Sequence, residues 1–185
     1  MKTIFFFLIW MGVAASSLLA QETGNLVKKT TYFAGAHASI AAGDLSDTHK
    51  WGAGVHGQVV HPLPGKNSLT GQVRYTYLFG RKSTYSFSEP GGPNYQHTTK
   101  YKGMNDVNLL VGIRHNVNAN WFGGLGAGVC MDFAEGESET SYDLETEIGY
   151  LFLCSKSPLL QSIAGYFNLC GDPKLQVGIR YSIGF

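Results

Sequence analysis

Residues 175–185 read LQVGIRYSIGF, and this stretch decides the fold class of the chain. Every second residue, from Leu175 to Phe185, is large and apolar. The residues between them are small or polar: Gln176, Gly178, Arg180, Ser182 and Gly184. Strict alternation with a period of two predicts a β-strand with one apolar and one polar face.

The same alternation recurs along the chain, so that eight strands are predicted in all. The earlier segments are 32–40, 51–61, 69–79, 105–115, 121–133, 144–154 and 159–169. None of the apolar-phase positions is Asp, Glu, Lys or Arg, although charged residues make up 15% of the chain. The opposite phase carries the charges, which we take as a polar network: Arg74, Asp106, Arg114, Asp132, Glu145, Glu147 and Arg180.

Two kinds of closed barrel can use this pattern. A soluble barrel of the lipocalin type turns its apolar face inward, whereas a membrane barrel turns it outward to lipid. Tyr, Trp and Phe cluster near the segment ends, as membrane-interface girdles require, and segments of about 11 residues match a tilted membrane crossing. We therefore predict an all-β fold: an eight-stranded antiparallel transmembrane β-barrel, built as an up-and-down meander.

The first twenty residues read as a separate unit. Lys2 is followed by the apolar run IFFFLIWMGVAA and then by small residues up to Ala20, which is the pattern of a secretory signal peptide. A single transmembrane anchor is the alternative. We expect a signal peptide over residues 1–20 and a barrel domain over residues 21–185, in an exported protein.

On these residues the chain resembles the small eight-stranded bacterial outer-membrane barrels, the class of the outer-membrane protein A and protein X barrel domains. The closing strand carries the most specific match, with apolar residues at alternate positions before a terminal aromatic: Val177, Ile179, Tyr181, Ile183 and Phe185. The resemblance implies that the outer-membrane barrel assembly machinery reads this strand. It also implies an outer-membrane location among phospholipid and lipopolysaccharide, and a structural, adhesive or host-interacting role.

The interior of an eight-stranded barrel is just wide enough for side chains to fill it. The inward charges therefore predict either a structural polar core or a narrow, gated path for ions or small solutes. For a gate, Arg74 and Glu147 are the pair expected near mid-height. The formal charge of +1 gives no sign of a nucleic-acid partner. An uninterrupted lipid-facing surface favours a monomer.

Enzymatic activity is not expected, and neither is a cofactor. A hydrolase of the lipid A deacylase type is the weaker alternative, because His37 and Ser39 lie two residues apart in the first strand segment. The three cysteines, Cys130, Cys154 and Cys170, form no CxxC motif or His/Cys cluster, so no metal site is predicted. We expect them to be free thiols packed as small apolar residues.

The connection over residues 81–103 is the longest and the best candidate for an interaction with a surface ligand. Its alternation continues past the predicted membrane crossing, with Tyr85 and Phe87 in the same phase. Tyr95 lies after the EPGGPN sequence, in the second half of the connection. We expect the flanking strands to extend beyond the membrane as a hairpin, broken near the EPGGPN sequence. A disordered surface loop is the alternative.

Overall fold

The structure is a computed structural model, and it describes residues 27, 29–88, 94–134, 137–153, 159–171 and 174–185. The expected signal peptide and Cys154 lie outside the described residues. Along the chain the strands are β1 (Thr31–Gly43), β2 (His49–Pro62), β3 (Asn67–Gly80), β4 (Lys82–Ser88), β5 (Asn94–Lys100), β6 (Met104–Asn116), β7 (Trp121–Ala134), β8 (Glu137–Leu153), β9 (Leu160–Cys170) and β10 (Lys174–Gly184). One short helix, α1 (Leu45–Thr48), joins β1 to β2.

Eight of these strands form a closed antiparallel barrel in the order β1-β10-β9-β8-β7-β6-β3-β2. The remaining two, β4 and β5, form a separate two-stranded sheet between β3 and β6. The predicted fold class is confirmed. Each of the eight predicted segments corresponds to one strand of the barrel, and sequential barrel strands are neighbours throughout.

The barrel closes between its first and last strands. β1 pairs with β10 from Phe33 opposite Gly184 to Gly43 opposite Lys174. Beyond this ladder, the Phe185 N–H donates to the Tyr32 carbonyl at 2.9 Å, and the Tyr32 N–H donates to the Phe185 carbonyl at 3.2 Å. Closure leaves no unpaired strand edge in the barrel wall, as hydrocarbon surroundings demand.

The outer surface of the barrel is apolar and its interior is polar. Exposed side chains around the wall include Val55, Val73, Leu109, Val111, Ile113, Leu125, Ile148, Ile163, Val177 and Ile179. Buried side chains include His37, His56, Gln72, Arg74, Asp106, Asn108, Arg114, Glu145, Asn168 and Arg180. This distribution is the reverse of a soluble protein and is that of a membrane β-barrel. Among the described residues, no helix has the length and apolar character needed to cross a membrane.

The two ends of the barrel differ. At the short-turn end, strands are joined by brief connections such as residues 63–66 and 117–120, and the exposed aromatics are Tyr32, Trp121 and Phe185. At the hairpin end, the β4–β5 sheet and a long β7–β8 hairpin project, and the exposed aromatics include Trp51, Tyr77, Phe79, Phe133 and Tyr142. Two aromatic girdles therefore flank the apolar band.

Strand β8 is longer than predicted. It begins at Glu137 and continues the ladder with β7 to the pair Ala134–Glu137, whereas the alternation begins at Leu144. Residues 137–140 are exposed on both faces, so water solvates both faces there and the sequence carries no apolar phase.

The expectation of free thiols was wrong for two of the cysteines. Cys130 of β7 and Cys170 of β9 form a disulfide with their Cα atoms 6.0 Å apart, although β8 lies between their strands. In a flat sheet, two strand spacings would separate such Cα atoms by about 9.5 Å. Both side chains point into the lumen, and the curvature of a small barrel brings inward positions of alternate strands together.

Candidate functional site

The lumen has a polar middle between two apolar ends. At the short-turn end, one buried cluster consists of Val27, Phe33, Val60, Phe122, Leu151 and Ala164. At the hairpin end, a second cluster consists of Ala41, Leu45, Leu78 and Met104, with Ala134 packed against it. Leu45 belongs to α1, so this helix folds across the barrel mouth. We call these groups the short-turn plug and the hairpin-end plug.

Arg180 is the centre of the polar middle. Its Nη2 donates to Glu145 Oε1 and to Glu147 Oε2, each at 2.6 Å, and its Nη1 donates to Gln72. Glu145 is shared with Arg74, and Glu147 is shared with Arg114 through bonds of 3.1 and 3.2 Å. Three cations and two carboxylates thus form one continuous network, as buried charges require.

Arg74 pairs differently from the sequence expectation. It contacts Glu145 rather than Glu147, and its Nε donates to Asn108 at 3.0 Å. Both glutamates lie on the inward face of β8, and Arg114 of β6 occupies the position beside Glu147. The expected gate pair of Arg74 and Glu147 is therefore not formed.

Glycine and aromatic side chains make room for this network. A Cβ atom at Gly124 of β7 would lie 2.7 Å from Glu147 Oε1, so a larger residue there would displace the carboxylate. The Arg114 guanidinium lies 3.8 Å from the centroid of the Phe122 ring. The Tyr166 ring lies beneath both Arg74 and Arg180, at 4.9 and 5.2 Å. These cation–π contacts add to the ion pairs where the lumen is desolvated.

A second group of carboxylates lies toward the hairpin end. Asp143 accepts hydrogen bonds from Asn108 and Asn168 and lies 4.0 Å from Arg74 Nη2, which links it to the arginine network. Asp106 accepts a hydrogen bond from Gln176 at 2.7 Å. Asp132 accepts from Lys174 Nζ at 2.6 Å. Asp143 and Lys174 were not among the predicted residues. Asp143 precedes the predicted segment by one residue, in the same phase as Glu145, and that phase was the signal that could have found it.

Lys174 also reaches outside the barrel. Its Nζ lies 2.7 Å from Glu139 Oε2, on the exposed part of β8. The hydrogen bond from Lys174, together with its positive charge, lowers the pKa of the Glu139 carboxyl. This solvated pair contributes little to stability, since exposed ion pairs are screened by water and salt.

The structure places each predicted network residue in the lumen, in two separate groups. Arg74, Arg114, Glu145, Glu147 and Arg180 form one network, whereas Asp106 and Asp132 lie apart from it near the disulfide. A cavity of about 10 Å³ beside Gln58, Gln72, Glu145 and Glu147 has room for about one water molecule. Side chains therefore fill most of the space in this part of the lumen.

His37 and Ser39 both face the lumen, and each bonds to a side chain of another strand. His37 Nε2 shares a hydrogen bond of 3.0 Å with Thr76, and Ser39 donates to Gln176 at 3.2 Å. His37 lies near His56 and Tyr166, with ring centroids 5.9 and 6.1 Å away. Neither side chain is presented to the membrane, where a lipid substrate would have to bind.

The β4–β5 hairpin is a distinct two-faced sheet. Register pairs Tyr85 with His97, Phe87 with Tyr95, Thr84 with Thr98 and Ser86 with Gln96. Tyr85, Tyr95 and His97 share one face, which we call the tyrosine face, and Thr84, Ser86, Gln96 and Thr98 share the other, the hydroxyl face. Tyr85 is 58% exposed and Tyr95 is 60% exposed.

The hairpin is a separate sheet rather than a continuation of β3 and β6. At the base of the hairpin, the Arg81 N–H donates to the Thr48 carbonyl at 2.7 Å, whereas the Arg81 carbonyl accepts from the Tyr101 N–H across the hairpin at 2.9 Å. The predicted hairpin is therefore present, and its ladder with the barrel strands is interrupted at Arg81.

The outward residues of the closing strand line the barrel wall. Val177, Ile179, Tyr181, Ile183 and Phe185 are all exposed, and Phe185, at 69%, is the most exposed of them. The Tyr181 hydroxyl donates to Gln161 on β9 at 2.6 Å. These side chains therefore form one accessible apolar row beside the β1–β10 seam.

No protein-family model and no curated protein matches the sequence. Among solved structures, the chain is similar to Ail, the attachment invasion locus protein of Yersinia pestis, in complex with the heparin analogue sucrose octasulfate. That alignment has a TM-score of 0.49 at 16% identity, over 84% of this chain and 97% of that chain. A second structure of Ail aligns with a TM-score of 0.47 at 15% identity, over 84% of this chain and 95% of that one.

Proposed function

We propose that the protein is an integral outer-membrane barrel whose role is to present the β4–β5 hairpin at the cell surface. In this arrangement the short-turn end faces the periplasm and the hairpin end faces outward, because short periplasmic turns and longer external loops are the pattern of such barrels. The barrel is the anchor, and the hairpin is the binding element. We assign no covalent chemistry to the barrel or to the hairpin.

The hairpin carries this proposal through one observation: the tyrosine face is exposed although it is built on regular strand pairing. Exposed aromatic side chains on a rigid support are typical of interaction surfaces, because they supply contact area with little loss of conformational entropy. The hydroxyl face holds the hairpin together by side-chain contacts such as the Thr84–Thr98 hydrogen bond of 3.1 Å.

Strand addition is the binding mode that fits this element. Among the described residues, β4 and β5 pair only with each other, so each presents one free edge of backbone N–H and C=O groups. An extended peptide segment of a host or neighbouring-cell protein can pair with such an edge. The tyrosine face then gives side-chain contacts beside the added strand.

The lumen favours an anchor over a channel. Two apolar plugs cover a polar middle in which ion pairs and aromatic rings fill the space. A conducting path would require both plugs to open and the network around Arg180 to separate. Those movements would leave buried charges without partners, which is costly.

Two further partners follow from the same orientation. The apolar band and its girdles contact the outer-membrane lipids, with lipopolysaccharide around the hairpin end. The exposed row ending at Phe185 is the surface that the barrel assembly machinery would read. The closed wall has no free strand edge among its eight strands, and the protein is expected to be a monomer.

The test compares the two faces of the hairpin. Cells displaying Tyr85→Ala/Tyr95→Ala are compared with cells displaying Thr84→Ala/Thr98→Ala, at equal surface amounts, in adhesion to host-cell layers. We expect the tyrosine variant to lose most of the adhesion that depends on the protein, and the threonine variant to retain it. Deleting residues 85–97 should remove the remaining adhesion that depends on the protein. Unchanged adhesion in the deletion would rule out the hairpin as the binding element.

A further inference from the structure

The disulfide between Cys130 and Cys170 lies in a part of the lumen that the proposed function does not use. Both side chains are buried, at 0% and 1% exposure. On β7 the hairpin-end plug lies beyond Cys130, since Ala134 follows it toward the hairpin end, and the charged network around Arg180 lies toward the other end. Among the described residues, the side chains around the disulfide leave both cysteines with almost no exposed surface, so an oxidoreductase or a thiol cannot contact the sulfur atoms unless this part of the barrel opens.

The bond also depends on three strands. Cys130 lies opposite Ser141 of β8, and Cys170 lies opposite Asp143 of the same strand. The disulfide therefore crosses the inward side of β8 and joins β7 to β9 over a sequence separation of 40 residues. Its formation needs β7, β8 and β9 paired and curved toward one another, and none of these three strands belongs to the β1–β10 seam.

The charges around the disulfide oppose exchange once the barrel has closed. Asp106 Oδ1 and Asp132 Oδ1 each lie 3.6 Å from Cys130 Sγ. Thiol–disulfide exchange proceeds through thiolates, either attacking or leaving. A thiolate at this position would be buried beside two carboxylates, and burial and like charge both disfavour it.

We infer that the Cys130–Cys170 disulfide is made by a thiol–disulfide oxidase before the barrel closes, and that closure then shields it from reduction. One cysteine thiolate attacks the oxidant disulfide, expelling one oxidant thiolate and forming a mixed disulfide. The second cysteine thiolate attacks the protein sulfur of that mixed disulfide and releases the other oxidant sulfur. The chain loses two protons and two electrons, and the oxidant is reduced to its dithiol.

The first experiment measures access to the bond. The full chain carrying Cys154→Ser is folded in detergent micelles or unfolded in urea, treated with dithiothreitol, and its free thiols are counted by maleimide gel shift. We expect reduction of the folded barrel to be slower by about 100-fold or more, because exchange must wait for global opening. Equal rates in the two states would overturn the inference.

The second experiment fixes the order of events. The reduced chain receives oxidised glutathione either before or after folding, with folding followed by heat-modifiable migration on gels. We expect disulfide formation only when the oxidant precedes folding. If the reduced chain does not fold at all, the disulfide is required for folding, and oxidation must then precede closure of the barrel. Full oxidation of an already folded barrel would overturn the order.

A matched control places a cysteine pair where access is free. Thr84→Cys/Thr98→Cys, in a chain whose three native cysteines are replaced by serine, puts two thiols on opposed positions of the exposed hairpin. This pair should oxidise and reduce at similar rates whether glutathione is added before or after folding. If it shows the same dependence as the lumen pair, shielding by the barrel is not the cause and the inference fails.

Discussion

The lumen and the β4–β5 hairpin place polar and aromatic residues in opposite situations. Around Arg180, every charge of the network has a charged partner and is enclosed between two apolar plugs. On the hairpin, two tyrosines and both strand edges face water. We therefore expect substitutions in the lumen to change stability and substitutions on the hairpin to change the proposed binding.

The largest expected effect comes from breaking the lumen network. Glu145→Ala would leave Arg74 and Arg180 without their shared carboxylate, and we expect a loss of about 3–5 kcal/mol in the free energy of unfolding. Urea titration of the barrel in detergent measures it. Glu137→Ala, on the exposed part of the same strand, is the control and should change stability by less than about 0.5 kcal/mol. Equal effects would show that burial of the network is not stabilising.

Variants of the closing strand β10 test whether Phe185 contributes more to insertion than an ordinary apolar residue of the wall does. Removing Phe185 should lower the amount of inserted barrel in cells several-fold, because it takes away both an exposed aromatic and the two bonds to Tyr32. Ile179→Ala removes an apolar side chain from the same strand and serves as the comparison. Quantitative outer-membrane blots give the result. Similar losses in both variants would argue that the strand is read as a whole.

Conductance tests the closed lumen directly. In planar bilayers we expect no stable unitary currents from the protein, since plugs cover both ends of the polar middle and the cavity within it is about 10 Å³. Reproducible unitary currents that disappear in Glu147→Ala would favour the narrow channel instead. They would also place function inside the barrel rather than on the hairpin.

The smallest expected effect is on the stability of the hairpin variants. Tyr85→Ala/Tyr95→Ala should change the unfolding free energy of the barrel by no more than about 0.5 kcal/mol, because both rings are solvated in the folded protein. The same urea titration used for Glu145→Ala measures this. A loss of several kcal/mol would show that the tyrosine face packs against the barrel and is not a free surface.

Much of the fold could be predicted from the sequence, because lipid and lumen impose opposite polarity on alternate residues. Arg74 lies between Val73 and Tyr75, and the structure buries the arginine and exposes both neighbours. Such a contrast needs no tertiary information. It weakens where both faces meet water, which is why the first residues of β8 were missed.

The pairing inside the lumen could not be predicted in the same way. Alternation shows that Glu145 and Glu147 both face inward, but the stagger between strands decides which of them meets Arg74. The disulfide depends on the curvature of the wall, which has no counterpart in a linear pattern. The backbone bond from Arg81 to Thr48 at the base of the hairpin joins residues that are far apart in the sequence, so alternation could not reveal it either.

The bonds between Tyr32 and Phe185 make the barrel a ring in which no strand is structurally first or last. Moving the ends of the chain to another position can therefore separate two roles of β10, namely its pairing with β1 and its proposed recognition by the assembly machinery. A circular permutant with a short linker from Phe185 to Tyr32, opened within residues 89–93, retains every strand pairing of the wall. It should fold in detergent yet insert poorly in cells, because under our proposal the assembly machinery reads an aromatic strand at the end of the chain.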